Sequence, residues 1–378
     1  MTGRYPNRFG IRTTVIPPWR EDGLDENEET LADMLARNGY SNRAIIGKWH
    51  LGHTRKVHYP INRGFSHFYG HLNGAIDYFD HMREGELDWH NDWETCYDKG
   101  YSTELITQEA VRCINTYEKE GPFLLYVAYN APHTPLQAQE KDIELYCDDF
   151  GSLTPKEQKR VTYQAMVSCM DRGIGTIVDA LKKKGIMDNT FLIFFSDNGP
   201  AGVPGSSSGK LRGRKFDEWD GVRVPAVFYW KRAESNYKNL SSQVTGFVDI
   251  VPTLKELVGD KNRPERAYDG ISILPLLIGS TSCIDRNFYL GCGAVVNKDY
   301  KLIRKGRKPG LNLPQDFLVD YQTDPYEKKN ASNGNEQIVR SLYQVALKYD
   351  TITPCLPEIP YGKGREGFKA PVEWKVTR

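Results

Sequence analysis

The chain has 378 residues, of which 39% are hydrophobic and 12% aromatic, enough to bury a substantial core and inconsistent with a disordered polypeptide. Fifty basic residues stand against 49 acidic ones, so neither nucleic acid nor a charged membrane surface is indicated as a partner. The length suits one large unit with a smaller one attached. No apolar run is long enough to span a bilayer, and the opening MTGRYPNRFG lacks the apolar centre of a signal peptide.

Taken in chain order, helices and strands alternate. ETLADMLARNGY (29–40) sets Leu31, Met34 and Leu35 on one helical face, with Asn38-Gly39 as its C-terminal cap. Residues 43–47 read as a short strand. A helix is expected over 104–119, stopped by Gly121-Pro122, and FLLYVAY (123–129) reads as a strand buried on both faces. Thr154-Pro155 opens a long helix that carries Met166, Val167, Met170, Ile174, Ile177, Val178 and Leu181 at helical spacing and stops at Gly185. FLIFF (191–195) and AVFYW (226–230) are two more apolar strands, followed by a helix near 249–258.

This alternation predicts an α/β fold, a mixed and mostly parallel sheet sandwiched by helices. After about residue 285 the texture changes to NFYLG, VVNKDYKLIRK and FLVDYQ, alternating strands of a small antiparallel sheet, then a helix at 335–349 and a Pro/Gly-rich tail. The expected division is therefore 1–284 and 285–378. The seven cysteines show no CxxC spacing; only Cys283 and Cys292 are close enough for a local bridge, and buried thiols are the simpler reading.

Ligands of such sheets gather beyond the carboxyl ends of the strands. Lys48 and His50 follow the first strand, in the stretch IIGKWHLGH that also holds His53. Asn130 and His133 follow the second, and Asp197-Asn198-Gly199 the third. Arg212, Arg214, Lys215 and Arg223 precede the fourth. Each has a plain structural reading: Asn-Gly is a common turn pair, and loop histidines and cations are often merely structural or solvated. Their coincidence at one rim favours a site. Asp and Asn oxygens suit a hard divalent cation, and cations with histidines suit an anionic ester whose leaving oxygen needs a proton. The residues thus describe a metal-assisted hydrolase of phosphate or sulfate esters.

TGRYPNRFGI, ETLADMLARNGYSNRAIIGKWHLGH, FLLYVAYNAPHTPLQ, FLIFFSDNG, LRGRK and VRVPAVFYW, in this order, resemble the type I sulfatases of the alkaline-phosphatase-like superfamily. The resemblance implies that Lys48 and Lys215 bind sulfate, that His50 holds the nucleophile side, and that His133 faces the leaving oxygen. It implies Ca²⁺ on Asp197 and Asn198. The segment Asp220-Gly221-Val222-Arg223 is one residue shorter than the family pattern, which leaves Lys210 as an alternative to Lys215.

The family's formylglycine nucleophile arises in a Cys/Ser-x-Pro-x-Arg motif just upstream of a TGRYP-like segment, and that motif is absent here. The expectation is a chain lacking its N-terminal strand and nucleophile, inactive on its own. Family members of this kind work in the periplasm or outside the cell. The aromatic, polar stretch 71–100 points to a sulfated saccharide as substrate. A non-catalytic glycan-binding relative and a phosphodiesterase or phosphonate hydrolase are the alternatives.

Overall fold

The computed structural model describes residues 1–11, 14–217, 219–231, 243–307 and 311–376. Helix α1 (Leu31–Arg37) starts where the Thr30 hydroxyl accepts from the Asp33 amide and Asp33 reaches back to the Thr30 amide, a reciprocal cap. Leu31, Ala32, Met34 and Leu35 are buried, and Gly39, at φ 82°, turns the chain out of the helix. Strand β1 (Asn42–Lys48) then runs between β2 (His67–His71) and β7 (Phe123–Ala128), parallel to both.

Between β2 and β7 lie the hairpin β3 (Met82–Arg83) and β4 (Glu86–Leu87), the short strands β5 (His90–Asn91) and β6 (Glu94–Thr95), and helix α2 (Ser102–Thr116). β5 and β6 extend the sheet antiparallel, giving the order β6-β5-β2-β1-β7. Helix α2 ends three residues earlier than its pattern suggests, because Tyr117 already has extended backbone. After α3 (Glu140–Ile143), α4 (Pro155–Lys184) begins on a Thr154/Glu157 capping box and ends on Gly185 at φ 73°. α2 and α4 cover the sheet through Ile106, Ala110, Cys113, Ile114, Ile177 and Leu181, against Ala44, Ile46 and Tyr69.

β8 (Leu192–Phe195) and β9 (Ala226–Tyr229) form a separate antiparallel pair. Among the described residues, β7 pairs only along its β1 edge and β8 only along its β9 edge. Full burial of these apolar runs is therefore not realised: β7 and β8 are half-buried throughout, and Val227 is 54% exposed. A strand is enclosed only when both faces and both edges are covered, and hydropathy reports the faces alone.

Helices α5 (Ile250–Leu257) and α6 (Leu274–Leu277) lead into β10 (Phe288–Gly291), β11 (Ala294–Val296), β12 (Tyr300–Ile303) and β13 (Phe317–Asp320), an antiparallel sheet in chain order covered by α7 (Glu336–Asp350). Tyr5 enters this second core, with ring centroids 5.3 Å from Tyr289 and 5.1 Å from Tyr349. No disulfide joins exposed Cys283 to buried Cys292. No helix among the described residues is long and apolar enough to cross a membrane.

Candidate functional site

β1 delivers Lys48 to the rim through Gly47, which sits at φ 105°. A β-carbon there would lie 2.1 Å from the Ala128 carbonyl oxygen, so only glycine lets β1 and β7 approach. The Trp49 and His50 amides donate to the His71 and Leu72 carbonyls, both at 3.0 Å, which continues the β2 pairing past the strand end. His50 adopts φ 57°, uncommon for a residue with a side chain, so this turn is held by its surroundings. Its Nε2 lies 3.0 Å from the Ile16 carbonyl oxygen; a carbonyl only accepts, so Nε2 carries the proton and Nδ1 the lone pair. Burial, with the Lys48 charge beside it, holds the His50 pKa well below the ordinary value and keeps the ring neutral at pH 7.

His133 stands beyond β7, its amide donating to Asn130 O at 2.8 Å and its Nδ1–H to Thr134 O at 2.7 Å. That assignment leaves Nε2 to accept or carry a transferable proton. Beyond β8, Asp197 is exposed, and Asn198 donates Nδ2–H to Gly199 O at 3.0 Å, which leaves its amide oxygen as the group offered to a cation. The Lys215 amide donates to Pro200 O at 2.9 Å and ties its loop to the β8 turn.

The charges of these segments act on one another. Burial lowers the Lys48 pKa, Asp197 opposes that shift and Lys215 adds to it. Burial also lowers the His133 pKa, with Lys48 and Lys215 pushing the same way and Asp197 against them. Asp197 adds to the burial that raises the Tyr126 pKa on β7. Lys48, His133, Asp197 and Lys215 therefore share one field, with His50 joined through Lys48. Lys210 is exposed, and of the two lysines it is Lys215 whose charge reaches Lys48 and His133.

Other cations and histidines of the rim have structural work. His53 is buried, its Nε2–H donated to Pro18 O at 3.0 Å and its ring edge-on to Trp374. Arg212 donates to Glu327 O at 2.7 Å and lies 3.5 Å above Trp219; Arg223 pairs with Asp220 at 3.3 Å. Much of 71–100 is core: Trp89 is fully buried and stacked on His81 at 4.4 Å. Trp93, 42% exposed and stacked on Tyr59, and Tyr97 remain at the surface.

One residue at the rim, His71, was not singled out from sequence, and Asn130 was named there without a role. His71 pairs in register with Lys48, donates Nδ1–H to Asn73 O at 2.8 Å, and leaves a buried Nε2 without a partner. Asn130 is 3% exposed, and neither its amide oxygen nor its nitrogen has a partner. The ends of adjacent parallel strands were the available signal, but which strands neighbour one another is not written in the sequence.

The sulfatase family model matches residues 1–260. Arylsulfatase J of Mus musculus is 34% identical over 283 residues, 72% of this chain and 46% of the relative. N-acetylgalactosamine-6-sulfatase of Mus musculus is 30% identical over 303 residues, 74% of this chain and 55% of the relative. The chain spans about half the length of these curated relatives. The crystal structure of Ps i-CgsB in complex with k-i-k-neocarrahexaose superposes with a TM-score of 0.82 at 28% identity, covering 95% of this chain and 82% of that one.

Proposed function

Because this chain belongs to the sulfatase family, we propose that its converging rim binds the sulfate group of a sulfated carbohydrate, with Ca²⁺ as the metal partner. The observation that carries this reading is the shared field of Lys48, Lys215, His133 and Asp197. Lys215 adds to the depression of the half-buried Lys48, and an anion between the two relieves it. A sulfate oxygen is a strong acceptor for both ammonium groups.

His133 Nε2, on the unblocked side of the ring, faces the leaving oxygen and supplies its proton. The bound anion offsets the lysine charges that depress His133, so binding raises the fraction able to donate. His50, its Nε2–H fixed on Ile16, presents Nδ1 as an acceptor on the nucleophile side. Asp197 and Asn198 would hold Ca²⁺: their hard oxygens fit it in kind, and supply two donors of the roughly six to eight it takes. When bound, the ion neutralises charge on the sulfate oxygens.

The carbohydrate class is supported by the saccharide bound to Ps i-CgsB and by the name of the N-acetylgalactosamine-6-sulfatase relative. The 378 residues contain no Cys/Ser-x-Pro-x-Arg; Cys355-Leu356-Pro357 comes nearest, with Ile359 where arginine would stand. We therefore propose binding without turnover for these residues on their own.

The test is equilibrium titration with a 6-O-sulfated N-acetylgalactosamine and its unsulfated parent, beside a fluorogenic aryl-sulfate assay. Sulfate-dependent binding, lost in Lys48→Met and Lys215→Met, with no turnover, is expected. Equal affinity for the unsulfated sugar would defeat the pocket, and hydrolysis at an ordinary enzymatic rate would defeat the absence of turnover.

A further inference from the structure

At the opposite end of β2, His67, Glu109 and Cys113 come together, their ligand atoms all within 4.8 Å of one another. Glu109 and Cys113 are four residues apart on α2 and so share a face; His67 opens β2, on the sheet that α2 covers. His71, four residues on, lies level with Lys48, which puts this cluster about 13 Å from the sulfate rim. We propose that His67 Nε2, a Glu109 carboxylate oxygen and Cys113 Sγ form a zinc site that clamps the sheet to α2.

The ligand orientation is already built. His67 Nδ1 lies 2.9 Å from Asp92 Oδ1, and that same oxygen accepts the Phe68 amide at 2.9 Å. A carboxylate on the far nitrogen of a histidine fixes the ring and its tautomer, and aims the other nitrogen at the metal. Nε2 points at Glu109 Oε1, 2.6 Å away, and Cys113 Sγ is 3.9 Å from that oxygen. Around a tetrahedral zinc, nitrogen, oxygen and sulfur ligands lie about 3.3 to 3.8 Å apart, so small side-chain shifts suffice. One nitrogen, one oxygen and one sulfur suit zinc rather than Ca²⁺ or Mg²⁺.

Without metal, the cluster satisfies itself with other cations. Burial pulls the His67 pKa down, but hydrogen bonds with Cys113 and Glu109 and the Asp92 charge outweigh it and raise it to about 10. Arg112 grips Glu109 at 2.5 and 2.7 Å and comes within 3.5 Å of His67 Nε2. Its side chain is 55% exposed and can swing into water. Zinc would displace Arg112 and release one proton from the His67 imidazolium and one from the Cys113 thiol, forming Zn–N, Zn–O and Zn–S bonds. Water completes the coordination.

The test uses the full chain, stripped of metal and titrated with ZnCl₂ alone. One equivalent should bind, with affinity at least ten-fold weaker in Cys113→Ser and His67→Gln, and weaker in Asp92→Asn by about ten-fold. Cobalt(II) should give a thiolate charge-transfer absorption that disappears in Cys113→Ser and persists in Cys283→Ser and Cys355→Ser. Arg112→Ala alters a solvent-exposed side chain and should tighten binding. No stoichiometric zinc, affinity unchanged in both Cys113→Ser and His67→Gln, or equal or weaker binding in Arg112→Ala would each overturn the site.

Discussion

Replacing Lys301 with methionine should be costly, although no pocket atom is touched. Lys301 is fully buried, its ammonium 2.7 Å from Asp220 Oδ1 and 2.5 Å from Glu327 Oε1. Glu327 Oε2 accepts the Asp220 amide at 2.6 Å, and Glu327 O holds Arg212. These bonds fasten both ends of the loop that presents Lys215 to the C-terminal sheet. Methionine fills much the same volume, so the packing loss is small. The main cost is a buried Glu327 carboxylate without a cation and an Asp220 left with only the exposed Arg223, about 3 to 5 kcal/mol.

In the intact protein, burial pushes both carboxyls up; Lys301 and Tyr321 bring Asp220 below its ordinary value, while Glu327 stays above it. Without the lysine both would be raised when folded. A raised acid is most stabilising when protonated and loses that contribution as pH rises, so the deficit should be larger at about pH 8 than at about pH 5. Urea denaturation at both pH values measures this, and sulfate affinity should fall in parallel as the Lys215 loop loosens. A loss under about 1 kcal/mol, or a deficit that grows on acidification, would refute the reasoning.

Gly47→Ala should destabilise by about 3 kcal/mol or more in thermal or urea unfolding, because a new methyl group meets the Ala128 carbonyl at an unfavourable φ. Acid should destabilise the protein between about pH 6.5 and 4. Burial lowers His58 and His71 to about 4, so the unfolded chain binds more protons over that interval, and each costs on the order of 3 kcal/mol by pH 4. Stability measured across that interval should therefore rise with pH. Thr154→Ala removes a capping box on α4 and should cost about 1 kcal/mol by urea denaturation. Lys215→Met should weaken sulfate-ester binding by at least ten-fold in calorimetry, whereas Lys210→Met should leave it nearly unchanged.

The legible parts of the sequence were those fixed locally. Thr30 and Thr154 mark helix starts, Gly39 and Gly185 the ends, and the alternating NFYLG and KLIRK stretches a separate antiparallel sheet; each signal lies within a few residues. Lys48 and His133 were singled out because the parallel strands β1 and β7 deliver their following loops to one rim, and Asp197 because it follows the apolar strand β8. His71 was missed because its significance depends on which strands are adjacent. Arg212 and His53, grouped with the rim by sequence, are committed to Glu327 and Pro18, partners 115 and 35 residues away. Trp89 shows the same limit: beside charged residues it reads as a surface aromatic, yet it is entirely enclosed.

The central claim is that Lys48, Lys215 and His133 face a common sulfate. Imidazole ¹⁵N resonances of His133, followed through a pH titration with and without a sulfated monosaccharide, test it most directly. The sulfate should raise the His133 pKa, and the rise should shrink in Lys215→Met while the unsulfated sugar produces none. A His133 titration indifferent to the sulfate group, with ligand saturation shown independently, would contradict the account.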